Sequence, residues 1–270
     1  MDQYRDTNRS LWDGWAEINS RAASYRTDEF RAGKNKLHAI ELEEVGDVRG
    51  KSLLHLQCHF GLDTLSWARL GATATGVDFS PKGIAIAEGL SKELNIPAEF
   101  ICCDLYALPE HLDRQFDIVF TSYGVLCWLP DLAKWGQLIA RYLKPGGRFH
   151  IVEFHPFLFT FDPPNSNGRM EPILSYFPTQ QPQLWKEVGS YADRSADFRH
   201  DSYEWPHSIA EILNSLIGAG LRIEHFHEFP YSIDEILPGV MHEESGGRWR
   251  LIAHSGSVPL MFSLKAAKPA

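Results

Sequence analysis

Three short segments carry side chains and backbone groups that could hold a nucleoside, and each follows an apolar run of strand length. The first is Gln57-Cys58-His59-Phe60-Gly61, after SLLHLQ and before a helical stretch that starts near Leu62 or Asp63. Backbone N–H groups at such a turn can face an anionic or carboxylate group. The second is Asp78-Phe79-Ser80, about twenty residues further on, where a carboxylate at the end of a second strand can accept from both hydroxyls of an adenosine ribose. Helix capping is the competing role for Asp78, and Ser80 is better placed for it. The third is Cys103-Asp104-Leu105, where Asp104 can accept from the exocyclic amine of adenine while apolar neighbours, Leu105 and Phe79 among them, sandwich the ring. A plain turn aspartate is the alternative there.

The elements that must position these groups follow from the pattern of apolar residues. The runs SLLHLQ, ATATGV, AEFICC, FDIVFT and RFHIVEF are short and β-branched or apolar, and segments of helical period separate them. Strand alternating with helix predicts a parallel sheet with right-handed crossovers, and such sheets bind ligands beyond the carboxyl ends of their strands. Ser80-Pro81 marks the start of one helix, and Lys144-Pro145-Gly146-Gly147 turns another into the fifth strand. After residue 155 the alternation lapses for roughly fifty residues, too long for a simple connection. Residues 156–206 are therefore expected to form an insertion or lid at an acceptor site. A helix (HSIAEILNSLIGAG), a sixth strand (LRIEHFH) and a last strand (VPLMFSLKA) follow, with no amphipathic helix between the two strands, which implies an antiparallel connection.

Taken together, HLQCHFGLDTLSWARLGA, TGVDFS, ICCDLYALP, FDIVFTSYGVLCWLPDL and LKPGGRFHIVEF resemble the successive motifs of the S-adenosylmethionine-dependent methyltransferase superfamily, from about Lys51 to Glu153 and again at the last two strands. A bacterial subgroup carries a similar LQCHFGLDTLSWARLGA loop. The resemblance implies a Rossmann-like α/β fold, a seven-stranded sheet, mostly parallel, with an antiparallel last strand and helices on both faces. It also implies S-adenosylmethionine as cofactor, the 57–61 loop at its methionine part, Asp78 at the ribose, Asp104 at the adenine, and Thr121 and Ser122 near the sulfonium. Two departures stand out. His55 occupies the place of the usual acidic residue, and Gln57 and His59 replace the first two glycines, so the loop must either bend differently or use those side chains as hydrogen-bond partners.

The N-terminal residues 1–50 read as a helical segment covering the cofactor site, ahead of a methyltransferase domain at 51–270. Trp12, Trp15 and Tyr25 could close over the cofactor or simply pack an N-terminal helix. Methyl transfer needs alignment in a dry site and no covalent residue; where the acceptor must lose a proton, His155 after the fifth strand is the candidate base. Tyr123, Tyr203, Trp205 and His207 are the candidate acceptor pocket.

A net charge of −9 disfavours binding to nucleic acid, and aromatic residues in the insertion favour a small molecule, methylated on oxygen or nitrogen. No stretch is long and apolar enough to span a membrane, and Cys58, Cys102, Cys103 and Cys127 form no C-x-x-C pair, so a cytoplasmic protein without a zinc ribbon is expected. His225 and His227 share a strand face as metal ligands would, but without a third ligand at an informative spacing they read as a surface pair, and no metal is expected. Asp162-Pro163-Pro164-Asn165 resembles a base-holding tetrapeptide but has ordinary turn composition. Two rival readings remain at this point. One is a nicotinamide-dependent oxidoreductase, which would want G-x-G-x-x-G in the first loop; the other is a non-catalytic nucleoside-binding protein.

Overall fold

In the computed structural model, residues 2–161, 171–253 and 256–270 are described. Seven strands build one sheet: β1 (Ser52–Leu56), β2 (Thr73–Asp78), β3 (Glu99–Cys102), β4 (Phe116–Ser122), β5 (Leu143–Phe154), β8 (Arg222–Phe229) and β11 (Met261–Ala267), in the order β3-β2-β1-β4-β5-β11-β8. The first five pair in parallel, and β11 runs antiparallel between β5 and β8. The fold class read from the sequence is the one observed. The winding reverses between β1 and β4, so the ligand-binding switch point falls where Gln57–Gly61 and Thr121–Gly124 meet.

The helices cover both faces. α6 (Leu132–Tyr142) and α7 (Ile209–Gly218) bury Trp135, Ile139, Ile212 and Leu216 against Leu54, Val119, Phe149, Ile151 and Leu264 of the sheet. They pack closely because Gly136 faces the Ser215 carbonyl, where a Cβ would overlap it. α5 (Pro81–Leu94) starts as its sequence suggests: the Ser80 hydroxyl accepts from the Gly83 N–H at 3.0 Å and Pro81 takes the first helical position. On the opposite side α4 (Leu62–Arg69) inserts Trp67 between Leu53, Ile118 and Phe120.

The N-terminal segment is α1 (Asp2–Asn19), α2 (Thr27–Arg31) and α3 (Ala39–Val45). The 156–206 stretch is not irregular throughout, as its composition suggested. It contains an antiparallel ribbon of β6 (Gln183–Val188) and β7 (Arg199–Glu204), and a second ribbon, β9 (Met241–Glu244) with β10 (Arg248–Leu251), lies between β8 and β11. α1 straps onto the first ribbon: the Asn8 amide donates to Tyr203 O at 2.7 Å and accepts from its N–H at 2.8 Å, and Trp15 Nε1 donates to Gly189 O at 2.9 Å. α1 and the ribbon thus form one cap over the carboxyl end of the sheet. Among the described residues no helix is long and apolar enough to cross a membrane.

Candidate functional site

The Gln57–Gly61 turn keeps the backbone of a glycine loop without the glycines. Gln57 has φ +56° and His59 φ +52°, left-handed conformations costing about 1–2 kcal/mol each for residues with a Cβ. Of the two ways to accommodate these residues, the turn takes the second: it bends as glycines would and uses the side chains as partners. Gln57 Nε2 donates to Val125 O at 2.9 Å, and His59 Nε2 lies 3.3 Å from Asn19 Nδ2. Burial lowers the His59 imidazole to about 3, so the ring is neutral. If Nε2 accepts from the Asn19 amide, the ring hydrogen sits on Nδ1, which has no partner among the described residues; Asn19 Oδ1 and Gln57 Oε1 are likewise buried and unpartnered among them. One donor and two acceptors left open around a single turn is a cost that a bound polar ligand would remove.

Asp78 closes the turn from the next strand. Its two carboxylate oxygens accept from the His59 N–H at 2.8 Å and the Ser80 N–H at 2.9 Å, and lone pairs remain on both for further donors. Burial pushes it up to about 6 against the pull of those backbone donors. Helix capping falls to Ser80, whose hydroxyl also donates to the Asp13 carboxylate of α1 at 2.6 Å. Asp104 begins the short 3-10 turn at Leu105–Glu110 by accepting from the Tyr106 N–H, so one of its oxygens has a turn role while the other stays open; Leu105 is buried beneath it. Cys58 packs its sulfur against Gly76, where a Cβ would lie 2.8 Å from Sγ. Thr121 is buried with its hydroxyl donated to Leu56 O at 3.0 Å, so its proton is already committed and only the oxygen lone pairs remain. His55, in the place of the usual acid, is neutral and buried beside the Thr64 hydroxyl at 2.8 Å.

Several groups at this end of the sheet carried no signal in the sequence. Ser122 donates to Asp63 at the start of α4 (3.3 Å); burial raises the Asp63 carboxyl and lowers Lys36, whose charges attract each other. Asp234 and Arg26 feel the same cluster. Glu41 of α3 is wholly buried beside Tyr123, neither carboxylate oxygen has a hydrogen bond of ordinary geometry among the described residues, and burial together with Asp63 pushes it up to about 8. The aromatic cluster is larger than the three residues singled out: Trp12 stands edge-on to His59, Trp15 and Trp128 at 5.0, 5.2 and 5.3 Å, while Tyr25 packs on Phe60 at 4.8 Å and shares a hydrogen bond with the Tyr191 hydroxyl.

Beside the 124–128 turn opens a cavity of about 560 Å³, lined by Leu126, Phe154, Leu158, Phe159, Trp185, Trp205 and other mostly apolar groups, with Glu153, Glu204 and His207 among the polar ones. Of the four expected acceptor residues, Trp205 and His207 line it and the two tyrosines do not. Tyr123 turns beneath α3 towards Glu41, and Tyr203 packs on Tyr4 at 4.6 Å. Both His207 ring nitrogens are engaged, Nδ1 with Glu211 at 2.9 Å and Nε2 with Leu129 O at 2.8 Å, so it shapes the wall. His155 is buried behind the wall: its Nδ1 accepts from the Phe157 N–H at 3.1 Å and its Nε2 stands 3.0 Å from Glu228, so a base role fits it poorly. Glu153 accepts from the N–H groups of Gly124, Val125, Leu126 and Phe154 and so fixes the turn dividing the cavity from the Gln57 loop. Glu204 has no hydrogen-bond partner among the described residues, and burial, with Glu187 beside it, pushes it up to about 8. Asp162-Pro163-Pro164-Asn165 lies outside the described residues.

The fold has its switch point at this turn, with a carboxylate at the end of β2 and another just after β3, a Rossmann-like arrangement. Residues 54–151 match the family model described as a methyltransferase domain. The chain is 34% identical over 138 residues to an uncharacterized methyltransferase of Synechocystis sp., which covers 49% of this chain and 61% of that protein. It is 30% identical over 129 residues to a ubiquinone biosynthesis O-methyltransferase of Pseudomonas fluorescens, covering 47% and 55%. The match thus spans little more than half the length of these curated relatives. An S-adenosylmethionine-dependent methyltransferase from Mesorhizobium loti superposes with TM-score 0.57 at 22% identity, covering 84% of this chain and 96% of that one. Residues 54–151 thus carry the match to a methyltransferase domain, and the fold is shared with the Mesorhizobium loti protein; both favour methyl transfer over the oxidoreductase reading.

Proposed function

We propose that this protein is an S-adenosylmethionine-dependent methyltransferase whose acceptor is a small organic molecule bound in the 560 Å³ cavity. The observation that carries this reading is the adjacency of two unlike sites across the 124–128 turn: a polar turn with three orphaned buried atoms, and a mostly apolar cavity of small-molecule size. The donor set fits the cofactor. Asp78 offers free lone pairs to ribose hydroxyls; Asp104, Phe79 and Leu105 would take the adenine. The open groups of Gln57 and His59, with Lys36 and Asp63 of opposite charge, suit a zwitterionic amino-acid end. Ser122 lies next to that end through Asp63. The bound cofactor supplies an electrophilic methyl group on a sulfonium.

The chain's own contribution is alignment, exclusion of water and proton removal. Proximity and orientation account for up to about 7–11 kcal/mol in favourable cases. α1 with Trp12, Tyr25 with Tyr191, and the β6–β7 ribbon close the cofactor end from above, and residues 1–50 are assigned to that cover. Glu153 holds the dividing turn, so cofactor and acceptor sites keep one spacing. Glu204, ionised above about pH 8 and set in the cavity wall, is the group assigned to take a proton from a hydroxyl or ammonium acceptor before or during transfer. A chain charge of −9 disfavours nucleic acid as acceptor. O- or N-methylation in a cytoplasmic setting completes the proposal.

Calorimetry tests it. S-adenosylmethionine and S-adenosylhomocysteine should bind the wild type, Asp78→Ala should lose at least about tenfold in affinity, and NAD should not bind. An acceptor panel then reads the second half. Turnover confined to protein or RNA would sink the small-molecule assignment while leaving the cofactor site standing.

A further inference from the structure

The strand register gathers a second set of ligating side chains well away from the loop ends. His150 pairs with Lys265 and Lys265 with His225, while Val152 pairs with Ser263 and Ser263 with His227, so His150, His225, His227 and Ser263 share one face of β5, β11 and β8. α3 lies across that face and lowers Glu44 into it. The Glu44 carboxylate stands 3.2 Å from His225 Nε2 and 2.9 Å from His227 Nδ1, and the three ligand atoms lie within 4.8 Å of one another. The two imidazoles are stacked, 4.4 Å between centroids and 11° between planes. His225 and His227 are therefore not an isolated surface pair: the third group comes from a helix some 180 residues earlier, where spacing could not show it.

We propose that Glu44, His225 and His227 form a binding site for a divalent transition-metal ion of the zinc type, which pins α3 to the outer edge of the sheet. Tetrahedral zinc with bonds of about 2.0–2.1 Å sets ligand atoms about 3.3 Å apart, so the two carboxylate–imidazole separations of 3.2 and 2.9 Å need to open by only a few tenths of an ångström, and the imidazole nitrogens already lie within 4.8 Å. Two imidazoles and one carboxylate leave a fourth position, which opens to solvent on the side of His227, itself half-exposed. The carboxylate is already oriented by outer partners. Ser263 Oγ donates to Oε1 at 2.9 Å and His150 Nε2 approaches Oε2 at 2.8 Å, the kind of support that ligating groups require. The nitrogens that face the carboxylate, His225 Nε2 and His227 Nδ1, are the ones placed to ligate. Lys265, whose Nζ is 3.5 Å from the Glu44 carbonyl, opposes a cation and limits the affinity. The same helix carries Glu41 beside Tyr123, so an ion here would stiffen the cover of the cofactor end.

Zinc chloride titrated into the untagged full chain, freed of metal by chelator, tests this by calorimetry and by thermal unfolding. The expected result is one ion per chain and a raised Tm, with His227→Ala and Glu44→Gln each weakening binding by at least about tenfold and His242→Ala leaving it unchanged. Because His227 is half-exposed, its variant should fold normally, which circular dichroism verifies. No saturable binding, or binding equally strong in His227→Ala, overturns the proposal.

Discussion

Glu41→Gln isolates the energetic consequence of burying a carboxyl without a partner. Glu41 is fully buried on α3, and its burial, with Asp63 adding to the penalty, raises it from 4.5 to about 8. The folded chain therefore keeps this proton up to about pH 8, whereas the unfolded chain releases it near 4.5. Between those values unfolding frees a proton, so the Glu41 contribution to stability falls as pH rises, and it is flat below and above the window. One proton corresponds to about 1.4 kcal/mol per pH unit. Glutamine has the same shape and does not titrate, so the variant should gain on the wild type by about 2–3 kcal/mol between pH 5.5 and 7.5. Urea unfolding at four pH values across that range measures the difference, and any constant offset from the amide itself drops out of the slope. Asp78 and Glu204 also titrate in the wild type, but they are common to both proteins and cancel. A difference that stays level with pH would show that Glu41 ionises normally in the folded state and would refute the reasoning.

Two further outcomes follow from the site. With an acceptor in hand, kcat/KM should rise through an apparent pKa of about 8 as Glu204 ionises, and Glu204→Gln should lower the rate by about 10²–10⁴-fold and remove that limb; an unchanged profile would take the base role from Glu204. At His59, Gly should be more stable than Ala by about 0.5–1 kcal/mol, the reverse of the usual order, because both lose the imidazole and only Ala keeps a Cβ at φ +52°. Equal Tm values would mean that the turn relaxes once the ring is gone.

The sheet was legible because each of its seven strands is an apolar or β-branched run with clear punctuation. Asp78 and Asp104 were legible because their place after a strand end is a matter of counting along the chain. The ribbon of β6 and β7 was not. QLWKEV and RHDSYE alternate polar and apolar residues only loosely, and their partners are each other and α1, contacts across as many as 195 residues. Lys36, Asp63, Glu41 and Glu204 were missed for a related reason: a charged residue in a loop, in a helix or at a ribbon end looks solvated until the fold buries it. The acceptor tyrosines were misplaced because segment position does not say which face a side chain takes. His155 was misplaced because its ring turns back onto Glu228 and Phe262.

The substituted glycine loop and the N-terminal helix are best understood as one feature. A left-handed residue with a side chain costs about 1–2 kcal/mol, and two in a three-residue turn would be hard to keep unless the side chains recover it. Gln57 recovers part through Val125 and thereby ties the turn to the segment that borders the cavity. His59 recovers part through Asn19 and Trp12, both on α1, beside ring contacts with Tyr25 and Phe60. Asp13 of the same helix accepts from the Ser80 hydroxyl that caps α5. Removing α1 would strip His59 of its side-chain hydrogen-bond partner and of the Trp12 contact while leaving its strained backbone in place, so the turn depends on the cover. A glycine-built loop has no such dependence. The departure in the first motif and the aromatic helix that precedes it therefore describe a cofactor end assembled from both.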